Sequence, residues 1–258
     1  MSVRSWGNYP KVEHAAVVPM GWRHLPLPAA QGSMLPSGLS RSYGDSCLNE
    51  GNTLVATASM DRFIAFDRET GVLRCEAGVS LASILELVVP TGWFLPVVPG
   101  TAFVTVGGAI ANDVHGKNHH VAGTFGHHVL RFELLRSDGS RLECSPATNA
   151  PLFHATIGGL GLTGLVTWAE IQLARVASPF FDVETIRVNN LDHFFTISAE
   201  SAPSHAYTVG WIDSFAQGDD IGRGVFMRAN HSTDPGGSAD PPRAGLAMPV
   251  DFPGFVLN

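Results

Sequence analysis

An α+β fold built on antiparallel sheet is what the sequence predicts. Two hairpin signals carry that expectation: "DRFIAFDRETGVLRCEAG", turning at "RETG", and "HVLRFELLRSDGSRLECSP", turning at Asp–Gly. The helical patterns that accompany them, "SLASILELVVPTG" and "NAPLFHATIG", are short.

Taken in order, "LPSGLSRSYGDSCLN" (35–49) reads as a glycine- and serine-rich loop, and "NTLVATAS" as a strand leading to the first hairpin. Ser80 is an N-cap, and Pro–Thr–Gly closes the helix it starts. In "FLPVVPGTAFVTVGGAIAND" the prolines exclude a long helix, and the small residues at its end allow close backbone approach. After the second hairpin and the helix at "NAPLFHATIG", "GLVTWAEIQLARV" alternates as a long strand. "FFDVETIRVNNLDHFFTISAES" then predicts a strand, a turn and an amphipathic helix, and "YTVGWIDSF" one more strand. From about residue 216 the composition shifts to Gly, Pro, Asp and Ser, which predicts a mobile loop. The stop at "FPGFVLN", without a closing element, reads as a truncation.

Composition narrows the function classes. The 258 residues carry a net charge of −7 with no basic run, which excludes a nucleic-acid surface built on clustered Lys and Arg. Cys47, Cys75 and Cys144 form no Cys-x-x-Cys pair and read as reduced, buried thiols, in keeping with a cytoplasmic protein. The amino terminus lacks the apolar core of a signal peptide. No uncharged apolar run reaches the roughly 20 residues that span a bilayer, so membrane contact is expected to be peripheral at most.

Three motifs carry candidate chemistry. "GLGLTG" supplies Gly159, Gly161 and Gly164 in the G-x-G-x-x-G spacing of a dinucleotide fingerprint. That fingerprint needs a strand before it and a helix after it, and here the order is reversed, so a tight turn is expected. "SGLSRSYGD" (37–45) strings small residues whose N–H groups would form a concave phosphate cradle, with Ser40 and Ser42 as further donors and Arg41 balancing charge. An ordinary surface turn is the alternative.

"HGKNHHVAGTFGHH" (115–128) places five histidines in fourteen positions. His115 and His119 have zinc-helix spacing, but Gly116 and Asn118 lie between them, and only Asp113 stands near as a further ligand. No metal site is expected. His127 and His128 read as the start of the next strand. For His115, Lys117, His119 and His120 the residues leave two readings open, the lining of a site or surface decoration.

Together, "SGLSRSYGDSCLN", "PGTAFVTVGGAIANDVHGKNHHVAGTFGHHV" and "ATIGGLGLTGLVTWAEIQL" resemble the FAD-binding domain of the vanillyl-alcohol oxidase (p-cresol methylhydroxylase) type. Within it they most resemble the decaprenylphosphoryl-ribose oxidase group, over about residues 5–215. The resemblance implies a two-subdomain FAD-binding fold over 1–175, and the start of a substrate (cap) domain with antiparallel sheet over 176–258. It implies that Pro36, Ser37, Gly38, Leu39, Ser40, Arg41, Ser42, Tyr43, Gly44, Asp45 and Ser46 cradle the FAD pyrophosphate. Gly100, Thr105, Val106, Gly107 and Gly108 would lie along the flavin and its ribityl chain, where a Cβ would collide. Val166 would meet the adenosine part through its backbone. His115 would sit beside the isoalloxazine ring and Lys117 would face the substrate, these two being the candidate catalytic residues.

Arg41 stands where some members of the wider superfamily tether FAD through a histidine, so the cofactor is expected to be held non-covalently. The implied reaction is oxidation of a secondary alcohol of a sugar, a polyprenyl-phosphate-linked pentose in a cell-wall arabinan precursor pathway, with an NAD(P)H-dependent reductase as partner. An aldonolactone or alditol oxidase is the alternative within the superfamily. A non-catalytic FAD-binding fragment is the alternative outside it, since family members run on into a carboxy-terminal portion that completes the substrate domain.

Overall fold

The computed structural model describes residues 3–30, 32–234 and 236. Three short strands, β1 (Ala16–Pro19), β2 (Met34–Ser37) and β3 (Thr53–Ala56), form a parallel sheet in the order β1–β3–β2. The glycine- and serine-rich loop therefore begins at Gly38 and not at residue 35, because Met34–Ser37 pairs with β3. Pro36 is tolerated there because β2 is an edge strand, with one side free of ladder bonds. The loop leaves the carboxyl end of β2, the end at which parallel strands present ligands.

The first expected hairpin forms as β4 (Phe63–Asp67) and β5 (Val72–Glu76). The Asp67 carboxylate braces its turn by accepting from the N–H groups of Glu69 and Thr70, at 2.8 and 3.2 Å. Helix α1 (Leu81–Val88) starts where Ser80 Oγ accepts from Ser83 N–H at 3.0 Å. It tightens into a 3-10 turn and stops at Gly92, whose φ is +79°. Strand β6 (Trp93–Phe94) follows, then α2 (Val106–Ala111) and α3 (His119–Ala122). The small-residue stretch at 105–111 is thus a short helix, and Thr105 caps it by accepting from Gly108 N–H at 3.1 Å.

Strands β7 (Val129–Leu135) and β8 (Arg141–Cys144) make the second hairpin. Helix α4 (Ala150–Thr156), β9 (Leu165–Gln172) and β10 (Ala174–Arg175) follow, β10 pairing with β6. The central sheet runs β4–β5–β9–β7–β8, antiparallel throughout. One face carries the main core, where Leu73, Phe132 and Ile171 meet Ile84 of α1, Ile110 of α2 and Phe153 of α4. Phe132 and Phe153 stack with ring centroids 5.2 Å apart. On the other face Arg74 and Arg131 converge on Glu170 beside Trp168, which explains the alternation of β9. All three cysteines are free and buried, and burial, with Glu76 adding to it, pushes the Cys75 thiol up to about 12.

A separate three-stranded sheet begins at residue 181. It contains β11 (Phe181–Val188), helix α5 (Leu191–Ser201), β12 (Tyr207–Ile212) and β13 (Gly224–His231), in strand order β11–β13–β12. α5 covers one face, with Ile197 and Phe194 packed against Val188 and Phe226. The mobile loop expected from residue 216 is corrected here. Gly224–His231 is the central strand of this sheet, bonded on both sides. "GVFMRANH" is strand-forming by itself, but the polar residues around it dilute it in any wider window. The rest of that expectation, from residue 237 on, lies outside the described residues.

Candidate functional site

A cleft of about 450 Å³ opens between the loop after β2, the first turn of α2 and the turn joining α4 to β9. Glycines bring its walls together. A Cβ on Gly38 would strike Thr105 Oγ1, and one on Gly107 would lie 3.2 Å from Ala77 Cβ. Gly107 N–H donates to Ala77 O at 2.8 Å, so this glycine is needed first for packing protein against protein. Gly100 differs, since no described atom lies within 4 Å of where its Cβ would stand.

Of the residues implied for the cofactor, Pro36 to Tyr43, Ser46, Gly100, Thr105, Gly107, Gly108 and Val166 line this cleft. Gly44 and Asp45 are exposed and lie outside its lining, and Val106 is fully buried in the core. The side chain of Val106 packs into the main core from the first turn of α2. Among the described residues, no backbone N–H of residues 38–43 donates to a backbone carbonyl, and Ser42 N–H alone is turned to a side chain, the Cys47 thiol. Ser40 holds φ +56°, a left-handed conformation that costs a non-glycine residue energy and is typical of functional loops. Ser37 Oγ is buried without a hydrogen-bond partner. Buried polar groups without partners are rare and mark places where a ligand or water completes the set.

The "GLGLTG" turn runs from helix to strand, as expected from the sequence. Gly161 takes φ +78° and Gly164 φ +145°, and a Cβ on Gly164 would lie 2.8 Å from Leu135 O. Both also line the cleft, so the turn packs closely on one side and faces the cavity on the other. Sequence reasoning missed Trp6 and Cys47 as lining residues. Trp6 reaches the loop from more than thirty positions away. The Cys47 thiol is raised from its ordinary value mainly by burial.

A recess of about 280 Å³ adjoins the cleft and shares Pro99, Gly100, Asn112 and Val114 with it. His115 and Lys117 line this recess, and both are exposed. The His115 ring meets the His119 ring edge-on, with centroids 5.5 Å apart. Asn118 anchors the loop from below, its Nδ2 donating to Pro96 O at 2.7 Å. His120 Nε2 donates to His205 O at 2.9 Å. His127 and His128 do not open β7; they close a 3-10 turn just before it. His127 Nδ1 accepts from Thr124 N–H at 3.1 Å, and His128 Nε2 donates to Ala122 O at 2.9 Å. Thr124-x-x-His127 is a capping box with histidine in place of the usual Glu or Gln. Among the described residues, no three His, Cys, Asp or Glu side chains come together in a way that would hold a metal ion.

Comparison with known proteins agrees with this geometry. Residues 29–145 match the family described as an FAD binding domain. The chain is 36% identical over 199 residues to decaprenylphosphoryl-beta-D-ribose oxidase of Mycolicibacterium smegmatis, covering 76% of this chain and 43% of that protein. It is 30% identical over 121 residues to mouse L-gulonolactone oxidase, covering 46% of this chain and 27% of that protein. It is 35% identical over 107 residues to rat Delta(24)-sterol reductase, covering 42% of this chain and 21% of that protein. Each match spans less than half of the relative's length.

Proposed function

We propose that this chain, whose residues 29–145 match the FAD binding domain family and whose cofactor is FAD, is the cofactor-holding part of an oxidoreductase acting on a secondary alcohol of a sugar. The substrate in this reading is a polyprenyl-phosphate-linked pentose, and the cofactor is held without a covalent bond. One observation carries it: the glycine-walled cleft runs on into a recess whose walls include an imidazole and an ammonium group.

The residues present fit the cofactor. The unpaired N–H groups of residues 38–41 and 43 and the orphaned Ser37 Oγ are donors suited to diphosphate oxygens. The guanidinium of Arg41 is held by Leu39 O at 2.6 Å. The open space at Gly100, between cleft and recess, lets a planar ring approach the backbone. Bound there, FAD supplies a hydride acceptor. A ring nitrogen of His115 would take the hydroxyl proton as the carbon–hydrogen bond breaks, and the Lys117 ammonium would donate a hydrogen bond to the substrate oxygen. The walls of the recess would hold the carbon in place and keep competing reactants out.

An aldonolactone as substrate is the second reading, favoured by the match to an L-gulonolactone oxidase. The proposal includes a cytoplasmic setting with peripheral membrane contact and an NAD(P)H-dependent reductase as partner. Among the described residues no helix is long and apolar enough to cross a membrane. Anaerobic mixing of the flavin-loaded chain with each substrate class tests the reading. Bleaching by the polyprenyl-phosphate pentose alone supports it, bleaching by the aldonolactone alone selects the second reading, and bleaching by neither makes this chain a non-catalytic FAD-binding part.

A further inference from the structure

Residues 5–9 form a closed turn that lies against the loop after β2. Ser5 is buried, its Oγ donates to Tyr9 O at 3.1 Å, and Asn8 N–H donates to Ser5 O at 3.0 Å. From this turn Trp6 N–H donates to Ser42 O at 2.9 Å. The Trp6 ring carries the Arg41 guanidinium 5.3 Å from its centroid, while Arg41 also donates to Leu39 O. One residue outside the loop thereby restrains positions 39, 41 and 42. Trp6 is 55% exposed, so its ring contributes little to core burial.

Residues 38–43 need such a restraint. Apart from Ser42 N–H, which faces the Cys47 thiol, their N–H groups have no protein partners, so no backbone ladder fixes their direction. A loop that samples other shapes binds in proportion to the fraction of time it is competent. We infer that Trp6 is a positioning residue for cofactor binding: acting through Arg41, its ring holds residues 38–43 in the shape that receives the FAD diphosphate. The inference rests on the reading of that loop as the diphosphate cradle.

The test is the dissociation constant for FAD, measured by equilibrium dialysis on the full chain, together with the melting temperature of each variant. Trp6→Ala should weaken FAD binding about tenfold, the scale of a lost cation–π contact with the disorder that follows. Trp6→Phe keeps an aromatic face and should recover most of that loss, whereas Trp6→Leu, similar in apolar bulk, should not. If Trp6→Ala does not fold, the contrast between Phe and Leu decides alone. In an Arg41→Ala background the same Trp6 substitutions should have almost no further effect. Unchanged FAD binding in Trp6→Leu, equal loss in Trp6→Phe, or losses that simply add to that of Arg41→Ala would each overturn the inference. Ser40→Pro separates the two levels, because proline cannot adopt the φ of +56° found there. If Ser40→Pro still binds FAD normally, the cradle reading itself fails; if it loses FAD while Trp6→Leu does not, only the role of Trp6 fails.

Discussion

The backbone N–H of Thr208 donates to the carbonyl oxygen of Lys117 across 2.9 Å, fastening the edge strand β12 to the loop that carries His115. The bond from His120 to His205 O is a second tie, between the same loop and the turn that leads into β12. The recess holding His115 and Lys117, lined by residues 99–100 and 112–117, is therefore tied to the β12 end of the chain's later sheet.

His115→Ala should leave FAD in place, since the side chain stands in the recess and not in the cleft. It should slow anaerobic bleaching of the flavin by substrate on the order of a hundredfold, the usual contribution of a positioned proton acceptor. Rapid-mixing absorbance measures that step without reoxidation. Bleaching at the unmodified rate would transfer the role to Lys117.

Gly107→Val and Gly100→Val should fail in different ways. A branched side chain at 107 is forced against Ala77, and overpacking of this kind costs about 1–3 kcal/mol. That variant should melt at a lower temperature whether or not flavin is present. At Gly100 an added Cβ meets no described atom within 4 Å, so the melting temperature of Gly100→Val without flavin should fall far less than that of Gly107→Val while its FAD affinity drops. A Gly100→Val chain with normal FAD affinity would remove Gly100 from the cofactor site.

His231 sits at the junction of the sheets, packed against Phe94, Phe181 and Tyr207. Its Nδ1 donates to Ser178 O at 3.0 Å, leaving Nε2 to accept from Tyr207 Oη at 3.1 Å, which describes a neutral ring. Burial holds its pKa below the ordinary histidine value, and the Ser178 bond only partly opposes this. The unfolded chain thus takes up the proton first as pH falls. The stability His231 contributes is complete above about pH 6.5 and is lost as pH drops from there through the lowered folded value. His231→Gln should flatten the fall of melting temperature over that acidic range. The same slope in both proteins would contradict this account.

Local chemistry made much of this legible. Turn residues between alternating runs marked both hairpins, Ser80 marked the start of α1, and the order of elements around Gly159 excluded a nucleotide-binding βα turn. What stayed hidden depends on partners distant in sequence. Gly107 lines the cleft, but its close packing on Ala77 gives no local signal, because Ala77 lies thirty positions earlier. β13 was masked by its polar flanks and owes its order to β11 and β12 on either side. Trp6 gave no signal, because its importance lies in a contact with Arg41 that only the folded loop creates.

The central claim is that the cleft lined by residues 36–43 holds FAD without a covalent bond. An absorbance spectrum of the purified chain, followed by acid precipitation and a second spectrum of the supernatant, tests it most directly. The account predicts a yellow protein whose flavin passes entirely into the supernatant. A chain that takes up no flavin, or flavin that stays with the precipitated polypeptide, would contradict it.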